Sequence, residues 1–180
     1  HDLEQILPLL GGARGYATIG VFDGVHLGHQ QLVSRMVEAA HQKTGSAIAV
    51  AFDPHPAATL GLDAPLPLTT IDERAEFLAA LALDILVVVP FTQELALTSA
   101  VDFARLLIHH LNLAELWGGP DFAIGHDREG TLPVLQRLGA ELGFEVRCDK
   151  FFVDFYKNGA PKEYRSDLTF FVNGKEVKKG

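Results

Sequence analysis

Residues 16–32 read YATIGVFDGVHLGHQQL. The opening YATIGVF (16–22) is an apolar run with the length and β-branched content of a buried strand. From Leu27 onward, Leu32, Val33, Met36, Val37 and Ala40 recur at helical spacing, which predicts an amphipathic helix to about Lys43. Between them lies a turn that holds Gly20, Gly24, Gly28, His26 and His29. A tight turn needs one glycine, and a core has little use for neighbouring imidazoles. The junction therefore has the composition of a ligand site.

Working outward, the same alternation repeats. SAIAVAF (46–52) reads as a second buried strand, ended by the proline-containing DPHP. Thr70 and Glu73 form a capping box that opens a helix over about 71–82. DILVVVPF (84–91) is a third strand, and Ser99 caps a helix whose stripe is Val101, Ala104, Leu107, Ile108 and Leu111. AELWGG (114–119) is a short fourth strand. Thr131 to Leu142 follows as a helix closed by Gly143, and FEVRC (144–148) is a fifth strand. Apolar strands alternating with amphipathic helices predict an α/β protein: a Rossmann-like, doubly wound parallel sheet covered on both faces, over residues 1–147.

The last part, residues 148–180, reads as a β-rich, hairpin-like appendage packed on the same domain. FFVDFY, KNGAPKEY, RSDLTFFV and NGKEV are strand-like runs separated by Asn-Gly pairs, a strong hairpin signal. Six of the seven lysines fall in residues 150–180, which contain one alanine, Ala160. That shift in composition marks a boundary.

Charge narrows the partners. With 15 basic and 23 acidic residues the net charge is −8, which excludes a non-specific nucleic-acid binder but not a phosphate ligand held by local donors. A single cysteine, Cys148, excludes an internal disulfide and suits a reducing compartment. The longest apolar run, FLAALALDILVVVPF (77–91), is too short for a membrane span and is broken by Asp84. The first residues, HDLEQILPLL, carry no basic signal-peptide region, so a cytoplasmic protein with no membrane partner is expected.

Ligands of parallel sheets collect beyond the carboxyl ends of the strands. FDGVHLGH, FDPHP and WGGPDFAIGHDREG lie there and hold His26, His29, His55 and His126, four of the eight histidines. At His26-Leu27-Gly28-His29 a helix begins, so free N–H groups and a partial positive charge face the loop. Gly28 removes a side chain that would block close approach, and imidazoles can donate to phosphate oxygens. A polyphosphate fits. Two alternatives stay open: a helix start with incidental histidines, and a metal shared by histidines three apart, although no cysteine cluster or nearby acidic ligand of clear geometry accompanies them.

The stretch GVFDGVHLGH resembles the HxGH signature of the nucleotidylyltransferase superfamily. With FDPHP (52–56), PLTTIDERAEFL (67–78), VVVPFT (87–92) and GGPDFAIGHDREG (118–130) in this order, residues 14–147 are similar to the adenylyltransferase module of prokaryotic FAD synthetases. The resemblance implies the nucleotidylyltransferase fold and transfer of AMP from ATP to FMN, giving FAD and pyrophosphate, with Mg²⁺ carried mainly by phosphates and water. It implies that His26 and His29 are catalytic and hold the phosphates. Gly20, Phe22, Asp23, Gly24, Gly28 and Asp121 would bind nucleotide, while His55, Phe122 and Gly125 would bind flavin; no residue is assigned to a protein metal site. Plainer roles stand beside these: Asp23 capping the turn, His55 stiffening a proline turn, Asp121 and Phe122 packing a loop. His109 and His110 read as helix-end residues, and Trp117 as core.

Two features depart from the family pattern. After its counterpart of FEVRC the module normally continues into Ser-Ser-Thr-x-x-Arg at a helix start, where hydroxyls and arginine contact phosphates. Here the nearest chemistry is Arg165-Ser166, in a predicted hairpin. The riboflavin kinase module that usually lies downstream has no counterpart in this sequence. The tail instead resembles a β-rich extracytoplasmic piece of membrane-bound cytochrome c biogenesis proteins, as in a fusion or chimera. Besides FMN adenylyl transfer, the sequence leaves open a non-catalytic or engineered nucleotide-binding scaffold of this fold and another HxGH cytidylyl- or adenylyltransferase.

Overall fold

The computed structural model describes residues 3–155, 161–172 and 175–178, with side chains for residues 3–149. A short helix α1 (Ile6–Leu9) leads into β1 (Gly15–Gly20) and the long helix α2 (Leu27–Gln42). Then come β2 (Ser46–Phe52), one turn of helix α3 (Pro56–Thr59), α4 (Ile71–Ala79) and β3 (Ile85–Val89). Helices α5 (Gln93–Ala96) and α6 (Ala100–Leu111) precede β4 (Leu113–Gly118). A two-stranded ribbon, β5 (Ala123–Ile124) with β6 (Gly130–Thr131), leads to α7 (Leu132–Leu142) and β7 (Glu145–Phe155).

Strands β3, β2, β1, β4 and β7 lie in that order and all pair in parallel, the doubly wound arrangement expected from the sequence. The sheet is built by alternation of residue size. In β2, Ile48 and Val50 face α6 and α7 within one core, together with Ala17 and Ile19 of β1. Ala47, Ala49 and Ala51 face the other way, where α2 settles on them through Val33, Met36, Val37 and Ala40. Small residues on that face let the helix approach closely, and each large one on the other contributes about 1.5–3 kcal/mol on burial. Trp117 lies in the α2-side core, as its sequence context suggests.

The predicted caps are in place. Thr70 and Glu73 form a reciprocal capping box at α4, Ser99 caps α6, and Gly143 (φ 88°) ends α7. Helix α4 stops at Ala79, shorter than its periodicity predicts, and β1 stops at Gly20 because Phe22 turns left-handed (φ 54°).

After β7 the chain extends the same sheet. Strand β8 (Pro161–Val172) pairs antiparallel with β7, and β9 (Lys175–Lys178) antiparallel with β8. The Asn-Gly turns expected at 158–159 and 173–174 lie outside the described residues. Arg165 and Ser166 are in β8, opposite Phe152 and Phe151, rather than at a helix start. Among the described residues no helix is long and apolar enough to cross a membrane.

Candidate functional site

In the order β3-β2-β1-β4-β7, the chain reverses direction of winding between β1 and β4, and such a switch point opens a crevice beyond the strand ends. The loop carrying His26 and His29 leaves β1, and the loop carrying Asp121 and Phe122 leaves β4. The topology thus sets these two segments on either side of the crevice, with the DPHP turn beyond β2 beside them.

The β1–α2 junction is wound tightly. Phe22, Gly24 and Val25 all have positive φ (54°, 67° and 38°), so two residues with side chains occupy a region where glycine is at ease. Phe22 is buried, its ring lying against Gly20 and edge-on to His29 at 5.1 Å. It anchors the turn from below. His26 is the N-cap of α2: its Nδ1 accepts a long bond, 3.4 Å, from the His29 backbone N–H. An accepting Nδ1 puts the proton of the neutral ring on Nε2, ready to donate. The rings of His26 and His29 stack at 3.6 Å, with Gly28 between them in the helix's first turn.

His29, half-buried, shares the helix face of Val33, Met36 and Ala40. Burial and then the neighbouring His26 lower its pKa to about 4, so it is a neutral imidazole at pH 7. Its Nδ1 is buried and makes no hydrogen bond. Two stacked imidazoles at the first turn of a sixteen-residue helix offer N–H donors to an anion without bringing two fixed charges together.

Asp23 is spent elsewhere. Its carboxylate accepts from the Leu68 and Thr69 backbone N–H groups and from Thr69 Oγ1, at 2.9–3.0 Å, and these bonds hold its pKa below the usual carboxylate range. Gly24 N–H donates in turn to Thr69 Oγ1. Asp23 therefore neither caps α2, a task that falls to His26, nor holds its carboxylate free towards the crevice.

The other two loops are equally anchored. His55 caps α3 through Nδ1, which accepts from Ala57 N–H at 3.1 Å. Phe122 packs where a side chain on Gly118 would lie, while the backbone oxygen of the exposed Asp121 accepts from Arg128. Gly125 (φ 81°) lies so close to Ala100 that a Cβ there would come within 2.5 Å of its nitrogen. His126 bonds the Ala96 carbonyl, tying this loop to the end of α5. His109 and His110 meet edge-to-face at the end of α6, which leads into the amino end of β4, across the sheet from these loops. Among the described residues no group of three or more His, Cys, Asp or Glu is placed to hold a metal ion.

The family model described as FAD synthetase matches residues 12–154. The chain belongs to that family. Over 139 residues, 76% of this chain and 44% of the relative, it is 34% identical to the bifunctional riboflavin kinase/FMN adenylyltransferase of Escherichia coli. Over 148 residues, 81% of this chain and 46% of the relative, it is 30% identical to the protein of the same description from Buchnera aphidicola. The chain thus spans less than half the length of these curated relatives. Among solved structures, a macrolide-efflux protein from Streptococcus pneumoniae shares the fold, with a TM-score of 0.70 and 22% identity over 88% of this chain and 50% of that one. The FAD synthetase match takes in all five parallel strands and every loop of the crevice, and it ends within β7, before β8.

Within that FAD synthetase core, sequence reasoning passed over two residues that shape the crevice. Thr69 links Asp23 and Gly24, as described above. Arg74, buried on α4, donates to the carbonyls of Val21 at 3.1 Å and Thr69 at 3.2 Å. Arg74 shares a helix face with Ile71 and Leu78, so a charge on an apolar stripe was the available signal.

Proposed function

We propose that this chain is an FMN adenylyltransferase module, transferring AMP from ATP to FMN to give FAD and pyrophosphate. The observation that carries the reading is the stacked His26–His29 pair at the first turn of α2, on the switch-point edge of an FAD synthetase core. An FMN phosphate oxygen attacks the α-phosphorus of ATP, a new P–O bond forms, and the bond to the bridging oxygen of the β-phosphate breaks. Pyrophosphate leaves with its electron pair, and no covalent enzyme intermediate or protein base is required.

The chain's part is positioning and charge stabilisation. His26, through Nε2–H, and His29, as a neutral donor, hold the phosphates and stabilise the charge that grows on the leaving pyrophosphate. Backbone N–H groups of the first helical turn add to this, and Gly28 lets the phosphates come close. Gly20, Phe22 and Gly24 form the floor of the adenylate site, with Asp23 acting by fixing the turn and Asp121 at the opposite rim. His55, Phe122 and Gly125 border the flavin site; His55 keeps an Nε2–H to donate, and Gly125 sets the loop against α6. Mg²⁺ bound to the triphosphate would neutralise phosphate charge, held mainly by phosphate oxygens and water while the chain's own residues supply hydrogen-bond donors.

Incubation with ATP, Mg²⁺ and FMN, followed by FAD absorbance and pyrophosphate release, tests the reading. Stoichiometric FAD and pyrophosphate are expected. ATP binding without FAD would instead favour a nucleotide-binding module, the reading that the missing Ser-Ser-Thr-x-x-Arg segment supports.

A further inference from the structure

Arg74 is 5% exposed, and no carboxylate among the described residues forms an ion pair with it. A buried guanidinium without such a partner needs a reason, because an apolar side chain would fill the same space at lower cost. Its two bonds end on Val21, the residue that enters the phosphate turn, and on Thr69. Thr69 in turn donates to Asp23 and accepts from Gly24, and Leu68 N–H also donates to Asp23. Residues 68–74 therefore grip Val21, Asp23 and Gly24 from one side. What they grip is the segment in which Phe22 and Val25 are held at positive φ, a shape that persists only when the surroundings over-determine it.

We propose that Arg74 is a positioning residue for adenylyl transfer. Its planar fork locks the 21–26 turn in the conformation that presents His26, His29 and the first N–H groups of α2 to the triphosphate. Its positive charge lies behind that turn, where it also acts on the Asp23 carboxylate, and it adds to the positive potential that an anionic ligand meets at the start of α2. The kinetic part of this inference rests on the proposed FMN adenylyltransferase activity; the part concerning ATP affinity does not.

The test compares Arg74→Lys and Arg74→Met. Lysine keeps the charge but cannot bond both carbonyls as a fork, whereas methionine keeps only the bulk. Arg74→Lys should lower kcat about tenfold and leave the KM for ATP within about threefold of wild type. Arg74→Met should lower kcat at least as far and raise the ATP KM about tenfold, with the FMN KM within about twofold in both. A purely structural arginine would lower Tm alone; folded variants with kcat and ATP KM within twofold of wild type would overturn the inference. Should Arg74→Met not fold, Thr69→Val removes the hydroxyl bonds to Asp23 and Gly24 and should give the same pattern of lower kcat and higher ATP KM. Unchanged constants in both Thr69→Val and Arg74→Lys would overturn it equally. If the wild-type chain makes no FAD, calorimetric titration with ATP and Mg²⁺ decides alone: about fivefold or weaker binding by Arg74→Met supports the latch, and equal affinity refutes it. Wild-type protein that binds no ATP would sink both readings.

Discussion

The two edges of the parallel sheet treat polar groups in opposite ways. At the amino edge charges are paired with one another. Buried Glu115 bonds Arg147 at 3.1 and 3.2 Å, Lys43 at 2.7 Å and Trp117 Nε1 at 3.0 Å, while Arg147 also reaches Glu145. Burial alone would push the Glu115 pKa up, yet the bonds from Arg147 and Lys43 bring it below its ordinary value. At the carboxyl edge Asp149 is met by Arg35, but around the β1–α2 turn the balance is left open: His29 Nδ1 and Arg74 Nε are buried without hydrogen bonds, and the turn is held in left-handed conformations. One edge has its partners built in. The other keeps donors in reserve, which is how a fold spends stability at a site.

Substitutions at the two edges should therefore separate stability from binding. The largest effect is expected at the amino edge. Glu115→Ala takes from the buried Arg147 the carboxylate that bonds it through both Nε and Nη2, and should cost about 3–5 kcal/mol of stability. Denaturant unfolding should register that loss, while ATP affinity of the protein that remains folded stays unchanged. His29→Ala should do the reverse: FAD formation falls on the order of 10²–10³-fold, about 2.7–4 kcal/mol in the barrier, with the circular dichroism spectrum retained. Equal damage to stability and turnover in both variants would erase the distinction between the edges.

A smaller effect is expected at Gly125. Gly125→Ala must fit a Cβ against the Ala100 backbone at a positive φ, and should cost about 1–3 kcal/mol in thermal unfolding. The smallest effect is the pH dependence carried by His29. Its folded-state pKa, about 4, lies below the ~6.5 of an unfolded imidazole. The folded protein thus binds fewer protons in between, so this contribution is complete above about pH 6.5 and is lost as pH falls through about 4. Wild type should lose stability across that window faster than His29→Gln; parallel curves would contradict the assigned burial.

Much of this was legible in the sequence, and the limits have physical causes. SAIAVAF reads as a strand because alternating small and large apolar residues suit a sheet covered on both sides, and β2 occupies that stretch. Thr70, Ser99 and Gly143 announce helix ends through local bonds, which sequence spacing encodes. The single-turn helices α1, α3 and α5 were not read, since four residues are too few to show a period. The partners of Asp23, Leu68 and Thr69, lie 45 and 46 residues away, a tertiary contact that no local pattern carries. The capping role of His26 is hidden for a different reason: imidazole is an uncommon N-cap, so its spacing carries no cap signal.

The most direct measurement is a histidine-resolved NMR titration with ATP and Mg²⁺, because α2 carries an imidazole at each edge. His26 and His29 lie at its start, and His41 lies at its end, bonded to Asp84. The free protein should show His29 titrating near pH 4, and ATP should shift both His26 and His29 and raise the His29 midpoint while His41 stays in place. An unchanged His26–His29 pair, or a His41 response as large as theirs, would contradict a phosphate site at the carboxyl edge.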